Sequence, residues 1–414
     1  MDKKLTSLAK AAEAALADRF AAIDDISFQN TEKIMTAFRE HRVSESMFAA
    51  TSGYGYDDKG RDTLDRIFAD VVGAEAAFVR HNITCGTHAL AIGLYALLRP
   101  GDILYSVAGK PYDTLDEVIG NVGTANNGSL RDFGVSYMES KLKDGKLDLT
   151  EIKENLEKHK NIKVVFIQRS KGYLDRPTLR TADIKEVCDL VHGISDAFVV
   201  VDNCYGEFVE TLEPAAVGAD MMIGSLIKNP GGGFAESGGY IAGSARAVEL
   251  AGYRLTAIGV GLEVGASLGQ NKNLYRGLFY APHTVAQALK TAHFAAYIFE
   301  ALGYAASPRY TETRSDIIQM IRLGTPEKLV AFCRGIQAGS PVDAFVSPEP
   351  WDMPGYADPV IMAAGTFVGG ASIELSADGP LRPPYIAYLQ GGLTFESGKI
   401  GILRAAEELL KTEK

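Results

Sequence analysis

Two segments carry residue types that could do acid–base or covalent chemistry. The run Phe198-Val-Val-Val-Asp202-Asn-Cys-Tyr-Gly206 is apolar until it ends in a carboxylate. It reads as a strand of a parallel sheet, where ligands gather beyond the carboxyl ends. A carboxylate there can hold a metal, a ribose hydroxyl or a protonated ring nitrogen, or it can simply cap a turn. The run Ala219-Asp-Met-Met-Ile-Gly reaches Ser225, then Lys228, then Pro230 and three glycines. A lysine held between an apolar run and a glycine turn is expected to be partly desolvated. Desolvation lowers its pKa and frees a neutral amine for imine formation. Taken alone, such a lysine more often lays its stem on apolar surface and keeps its ammonium in water. The pairing changes this. Asp202 and Lys228 are 26 residues apart, each at the end of an expected strand, so both can face one crevice. The Ser225 hydroxyl can donate to a phosphate.

A third segment, Asn82-Ile-Thr-Cys85-Gly86-Thr87-His88-Ala89, is a small-residue turn entering an apolar helix. The free N–H groups of Gly86, Thr87 and His88 would point at an anion, aided by the helix dipole. The plainer reading is an N-cap by Thr84 or Thr87. The segment has neither the GxxxxGK spacing of triphosphate loops nor the GxGxxG of dinucleotide folds, which argues against a nicotinamide-dependent oxidoreductase.

These residues need a scaffold that brings strand ends together. Between about 61 and 245 the pattern alternates helix and strand. Helices are expected at 63–72, 89–98, 149–159 and 181–192, and strands at 76–79, 103–107, 163–168, 197–201, 219–224 and 238–242. That alternation predicts an α/β fold with a mostly parallel sheet flanked by helices. Two helices, 4–23 and 28–41, precede it. The Gly- and Tyr-rich stretch 51–60 reads as a loop for ligand or subunit contact. After it come a helix at 283–302, a strand at 317–321 and helices at 326–337 and 398–411, with a Gly- and Pro-rich stretch at 338–384. This reads as a smaller α+β domain. The expected division is 1–50 for N-terminal helices that pack on the small domain and a partner subunit, 51–284 for the large domain and 285–414 for the small one.

Composition narrows the classes. Hydrophobic residues are 46% and charged residues 23%, the balance of a globular protein. A net charge of −10 disfavours nucleic acid and anionic membranes as partners. Cys85, Cys188, Cys204 and Cys333 show no metal-ligand spacing, so no metal is expected, and they read as free thiols in a reducing compartment. Glu13, Asp18 and Arg19 interrupt the N-terminus, which reads as an amphipathic helix rather than a signal peptide. No apolar run has the length of a membrane span. A cytoplasmic location is expected.

In their order along the chain, these segments resemble the fold-type-I pyridoxal-phosphate enzymes, in the branch that handles cysteine, cystathionine and methionine. Ser225-Leu-Ile-Lys-Asn-Pro-Gly-Gly-Gly233, Val200-Val-Asp-Asn-Cys-Tyr-Gly-Glu-Phe-Val-Glu210 and the tail Glu374-Leu-Ser-Ala-Asp-Gly-Pro-Leu-Arg-Pro-Pro-Tyr385 onward resemble, more closely, the aluminium-resistance family. That family is also described as methionine gamma-lyase-like or cystathionine beta-lyase-like. The resemblance implies pyridoxal 5'-phosphate as cofactor, with Lys228 as the Schiff-base lysine and proton shuttle. It implies Asp202 on the pyridine nitrogen and Cys85, Gly86, Thr87 and Ser225 at the phosphate. Tyr112 would stack on the ring and protonate the departing thiolate. Tyr54 and Tyr56 correspond to a loop that reaches a neighbouring subunit's phosphate, implying a homodimer or homotetramer with shared sites. Two positions depart from the typical gamma-lyase pattern. Tyr54-Gly-Tyr56 stands where Tyr-Ser-Arg is usual, and Ile227 stands where Thr is usual. Arg61 or another cation would have to compensate at the phosphate. Arg382 is the expected partner of the substrate carboxylate, with Arg169 as the other candidate. The activity implied is carbon–sulfur cleavage of a sulfur amino acid by β- or γ-elimination. The alternative is another transformation on the same cofactor, of aminotransferase, aldolase or desulfurase type.

Overall fold

The computed structural model describes residues 3–353 and 356–412. Its larger sheet has seven strands: β1 (Ala76–Arg80), β2 (Ile103–Ser106), β3 (Ser136–Glu139), β4 (Ile162–Gln168), β5 (Phe198–Asp202), β6 (Met221–Ser225) and β7 (Gly239–Gly243). The spatial order is β1-β7-β6-β5-β4-β2-β3. The run from β3 to β6 is parallel, and β7 is antiparallel to both β6 and β1. β-branched residues fill these strands because both faces are covered. Val200 packs on one face with Leu90, Leu94, Phe166 and Ile223. Val199 and Val201, one residue away on either side, pack on the other with Val165, Ile167, Ile184 and Val187. The alternation of a strand thus feeds two separate cores.

Helices α3 (Lys59–Val72), α4 (Gly86–Leu97), α5 (Asp113–Ile119), α6 (Leu149–Lys158), α7 (Thr181–Ile194) and α8 (Ala245–Leu255) flank this sheet, preceded by α1 (Lys3–Ala15) and α2 (Ala17–Glu40). The expected break between residues 23 and 28 is absent; the chain turns at Leu16 instead. Residues 24–28 contain neither Gly nor Pro. Ile23, Ile34 and Ala37 hold one continuous buried face across them. Helix α9 (Asn271–Ala301) also runs further than expected, because Pro282 lies inside it rather than at its start. The helix tolerates a proline that the sequence reading places just before its start. The boundary expected at 284/285 therefore falls within one continuous helix.

A five-stranded antiparallel sheet follows: β8 (Ala305–Ser307), β9 (Gln319–Arg322), β10 (Val360–Ala363), β11 (Ser376–Pro380) and β12 (Ile386–Gln390), in the order β10-β11-β12-β9-β8. Helices α10 (Pro326–Ala338) and α11 (Phe395–Thr412) cover one face. There Phe332, Ile336, Ile361, Ala377, Leu389 and Leu403 form a core joined by Leu5 of α1. The opposite face turns toward the first sheet, where Ile318, Met320, Ile386 and Tyr388 meet Tyr173 and Tyr205. The crevice lies between the two sheets. Among the described residues no helix is long and apolar enough to cross a membrane, and no cluster of ligating side chains could hold a metal ion.

Candidate active site

The carboxyl ends of β5 and β6 set the centre of the crevice. Asp202 is the last residue of β5 and Ser225 the last of β6, both buried. Lys228 follows in a short helical turn, Asn229–Gly231, that the glycines press against α9. A Cβ on Gly277 would come 2.4 Å from the Gly231 carbonyl oxygen, so the turn and helix touch backbone to backbone. The Lys228 Nζ lies 4.0 Å from the ring centroid of Tyr205. Tyr205 is held at φ 74, a strained region for a bulky residue, and its carbonyl accepts from the Ile317 N–H at 3.2 Å.

Burial pulls the Lys228 amine down, yet Cys204, Tyr205 and Asp202 outweigh it and hold its pKa well above the ordinary value. The sequence expectation of a lowered pKa is corrected here. The lysine is desolvated, but it stands beside the Asp202 carboxyl, the Cys204 thiol and the Tyr205 ring. A cation seated on Asp202, such as a protonated ring nitrogen, would cancel that pull. Burial pushes Asp202 itself up, against the Lys228 charge and the Cys204 N–H, which donates to Oδ1 at 3.1 Å.

The Cys85–His88 turn closes over the same strand ends. Gly86 opens α4, and a Cβ there would meet Cys204 Sγ and Ser225 Cβ, each at 3.6 Å. The helix is capped by Cys85, whose sulfur accepts from the His88 N–H, and not by Thr84 or Thr87. Thr87 Oγ1 instead lies 2.8 Å from the Tyr112 hydroxyl. Tyr112 caps α5, and its N–H donates to Gln168 Oε1 at 2.7 Å. Burial, then the Asp202 charge, push the Tyr112 phenol well up, so it holds its proton at neutral pH. Thus Lys228, Asp202, Ser225, Cys85, Gly86, Thr87 and Tyr112 come together.

These residues fit pyridoxal phosphate. Ser225 is 1% exposed, and its Oγ is buried without a hydrogen-bond partner. Buried hydroxyls are ordinarily paired, so an orphan beside a glycine turn at a helix N-terminus suits a phosphate.

Other expected residues lie elsewhere. Tyr54 and Tyr56 are 75% and 59% exposed, with ring centroids 5.7 Å apart on the loop before α3. Arg61 is not available to a phosphate. Its Nη1 donates to the Gly55 and Gly265 carbonyls, each at 2.8 Å, and its Nε pairs with Asp62. Arg382 sits at the exposed β11–β12 turn, paired with Asp358 at 2.9 Å. Its charge is felt by Tyr388, but its guanidinium is exposed and engaged by Asp358 rather than buried beside Lys228. Arg169 is fully buried and already satisfied by Asn203 Oδ1, the Gly206 carbonyl, Glu210 and Glu213. It ties the loop after β5 in place.

Sequence reasoning missed several residues that share the crevice. Cys204 and Tyr205 lay inside the motif already singled out. Glu207 is buried behind the site, bonded to the Tyr240 hydroxyl and within reach of the Lys228 charge, and burial pushes its carboxyl up to about 8. Arg176 donates to the Gln168 and Ser170 carbonyls and feels the Asp202 charge, while its Nε is buried without a partner. Asp378 of β11 and Tyr173 after β4 come from separate sheets, and no spacing links them.

A family model described as methionine gamma-lyase matches residues 5–410. The chain is 50% identical over 411 residues to the uncharacterized protein YnbB of Bacillus subtilis, covering 99% of this chain and 97% of that one. A solved structure from Clostridium novyi NT, described as a carbon-sulfur lyase involved in aluminium resistance, is 50% identical with a TM-score of 0.94. It covers 98% of this chain and 96% of its own. One from Clostridium acetobutylicum, a candidate cystathionine beta-lyase involved in aluminium resistance, is 49% identical with a TM-score of 0.96. It covers 99% of this chain and 96% of its own.

Proposed function

The chain belongs to the methionine gamma-lyase family, and from that premise we propose that it releases a thiol from a sulfur-containing amino acid by elimination at the β or γ carbon. It is a pyridoxal-phosphate-dependent lyase of carbon–sulfur bonds. The observation that carries the cofactor part of this reading is the buried, unpartnered Ser225 hydroxyl beside Gly86, with Lys228 and Asp202 at the same sheet edge; the family match supports the elimination.

When bound, the cofactor supplies an electron sink for negative charge at the substrate α carbon. Lys228 would anchor it, and its Nζ is placed to take the substrate α-proton. Asp202 keeps the ring nitrogen protonated. Cys85, Gly86, Thr87 and Ser225 would hold the phosphate. Tyr112 covers the ring, and its hydroxyl, protonated at neutral pH, can donate to the departing thiolate. With Arg382 and Arg169 engaged elsewhere, Arg176 is the cation for the substrate carboxylate in this reading, because its buried Nε has no partner. Tyr54 and Tyr56 protrude from their own chain, which favours a homodimer or homotetramer in which they complete a neighbour's phosphate site.

Two measurements test this reading. The purified protein should be yellow and should lose that colour with borohydride; a colourless protein that cannot be reconstituted sinks the cofactor assignment. A panel of sulfur amino acids assayed for keto acid, ammonia and thiol should show all three released together. Amino-group transfer without thiol release would point to the aminotransferase alternative.

A further inference from the structure

The crevice face of the small sheet carries a buried acid that the roles above do not use. Along β11, Ala377 faces the helix-covered core, so its neighbour Asp378 faces the crevice. Asp378 stands opposite Tyr388 of β12. It is 8% exposed, and its Oδ1 is buried with no hydrogen bond. Three tyrosine rings stand around it. Tyr173 is 5.1 Å from Tyr388 and 5.7 Å from Tyr356, centroid to centroid. The Tyr388 hydroxyl donates to the Tyr173 carbonyl at 2.8 Å, which fixes the wall. Both Asp378 and Tyr356 feel the Lys228 charge, so the acid looks across the crevice at the reactive amine.

A buried carboxylate oxygen without a donor is costly. Aromatic faces attract cations. Together they describe a receptor for a small cation or strong donor. Burial raises the carboxyl to about 7, against side-chain hydrogen bonding from Tyr173 and Gln390 and the Lys228 charge, which leaves Oδ1 as the oxygen without a partner, and an arriving cation would restore the ionised form. The substrate's α-amine is committed to the cofactor, so it cannot serve here.

Building on the lyase reading, we propose that Asp378, Tyr173, Tyr356 and Tyr388 form the subsite for the far end of the substrate, beyond the sulfur, and that this end carries a protonated amine. The leaving thiol is then an aminoalkyl thiol. A substrate ending in a bare alkyl group leaves Asp378 Oδ1 unpaired.

Isosteric pairs test this in the holoenzyme: S-(2-aminoethyl)cysteine against S-propylcysteine, and S-(3-aminopropyl)cysteine against S-butylcysteine. Each pair differs by ammonium for methyl. We expect the amine-bearing member of at least one pair to have a roughly ten- to hundred-fold higher kcat/KM for thiol release, the range of a hydrogen bond to a charged group. In Asp378→Asn that ratio should fall to within a few-fold of one. A wild-type enzyme with no preference, or one that favours the alkyl members, overturns the proposal, and that comparison needs no variant to fold. A preference that survives in Asp378→Asn also overturns it. Calorimetric titration separates this inference from the lyase reading. If no thiol is released but the amine members bind ten-fold tighter, the subsite stands and the lyase reading falls. Equal binding within both pairs removes the subsite whatever the chemistry.

Discussion

The two sheets meet at the crevice with opposite unmet needs. The carboxyl end of the large sheet leaves a buried hydroxyl, Ser225 Oγ, without a partner, and the crevice face of the small sheet leaves a buried carboxylate oxygen, Asp378 Oδ1. A few residues away, Arg169 is as deeply buried and fully satisfied by Asn203, Gly206, Glu210 and Glu213. Burial therefore does not mark the site. Burial without a partner does not mark it alone either, since atoms of Arg80, Thr291 and Arg314 share that state; what marks it is that two such groups meet at one crevice, where a folded chain ordinarily pairs its interior polar groups. Ser225 and Asp378 also differ in kind. The hydroxyl beside a helix N-terminus suits an anion, and the carboxylate among tyrosines suits a cation.

The contrast between reactive and structural polar groups can be broken by substitution. Lys228→Ala should have the largest effect, a loss of bound colour and of turnover by more than about a thousandfold. Absorbance and thiol release check it, and a variant that keeps full turnover would end the assignment. Arg169→Ala should act on stability, by roughly 3–5 kcal/mol, because it strands buried Glu213 and Asn203. Denaturant unfolding of cofactor-free protein measures this. Ser225→Ala should do the reverse. It should change unfolding of the cofactor-free protein by less than about 1 kcal/mol but weaken pyridoxal phosphate binding about tenfold. If Ser225→Ala instead destabilises the protein as Arg169→Ala does, the orphan-hydroxyl argument fails.

A smaller effect concerns pH. Glu207 accepts from the Tyr240 hydroxyl at 2.7 Å, yet burial pushes its carboxyl from 4.5 up to about 8. Between those values the unfolded chain gives up a proton that the folded chain keeps. Stability contributed by this group therefore falls as pH rises from about 4.5 towards 8 and then levels off. Glu207→Gln should flatten that limb, seen as unfolding midpoints that change less across the window than in wild type. An unchanged slope would place the titration elsewhere.

Much of the large sheet was legible because parallel strands buried on both faces are short and continuously apolar. β4, β5 and β6 lie close to where their Val- and Ile-rich runs place them. The terse, half-exposed β3 and the β10 and β11 strands within the Gly- and Pro-rich stretch carried no such signal. Helix bounds misled at Pro282, where packing of α9 overrides a local breaker, and around residue 24, where no breaker exists and α2 simply continues.

Local order along the chain determined the strand-end residues Asp202, Ser225 and Lys228 and the Gly86 turn, because each sits within a few residues of a recognisable apolar run. The tertiary structure alone decided which cations remain for a ligand. Arg61, Arg169 and Arg382 are each engaged by partners from distant segments, and no spacing reveals that. It also decided that Lys228 faces Cys204, Tyr205 and Asp202, which reverses the direction in which burial alone would move its proton affinity. Asp378 meets the crevice only because β11 is paired between β10 and β12 in one register. A slip of one residue would send that carboxylate into the apolar core.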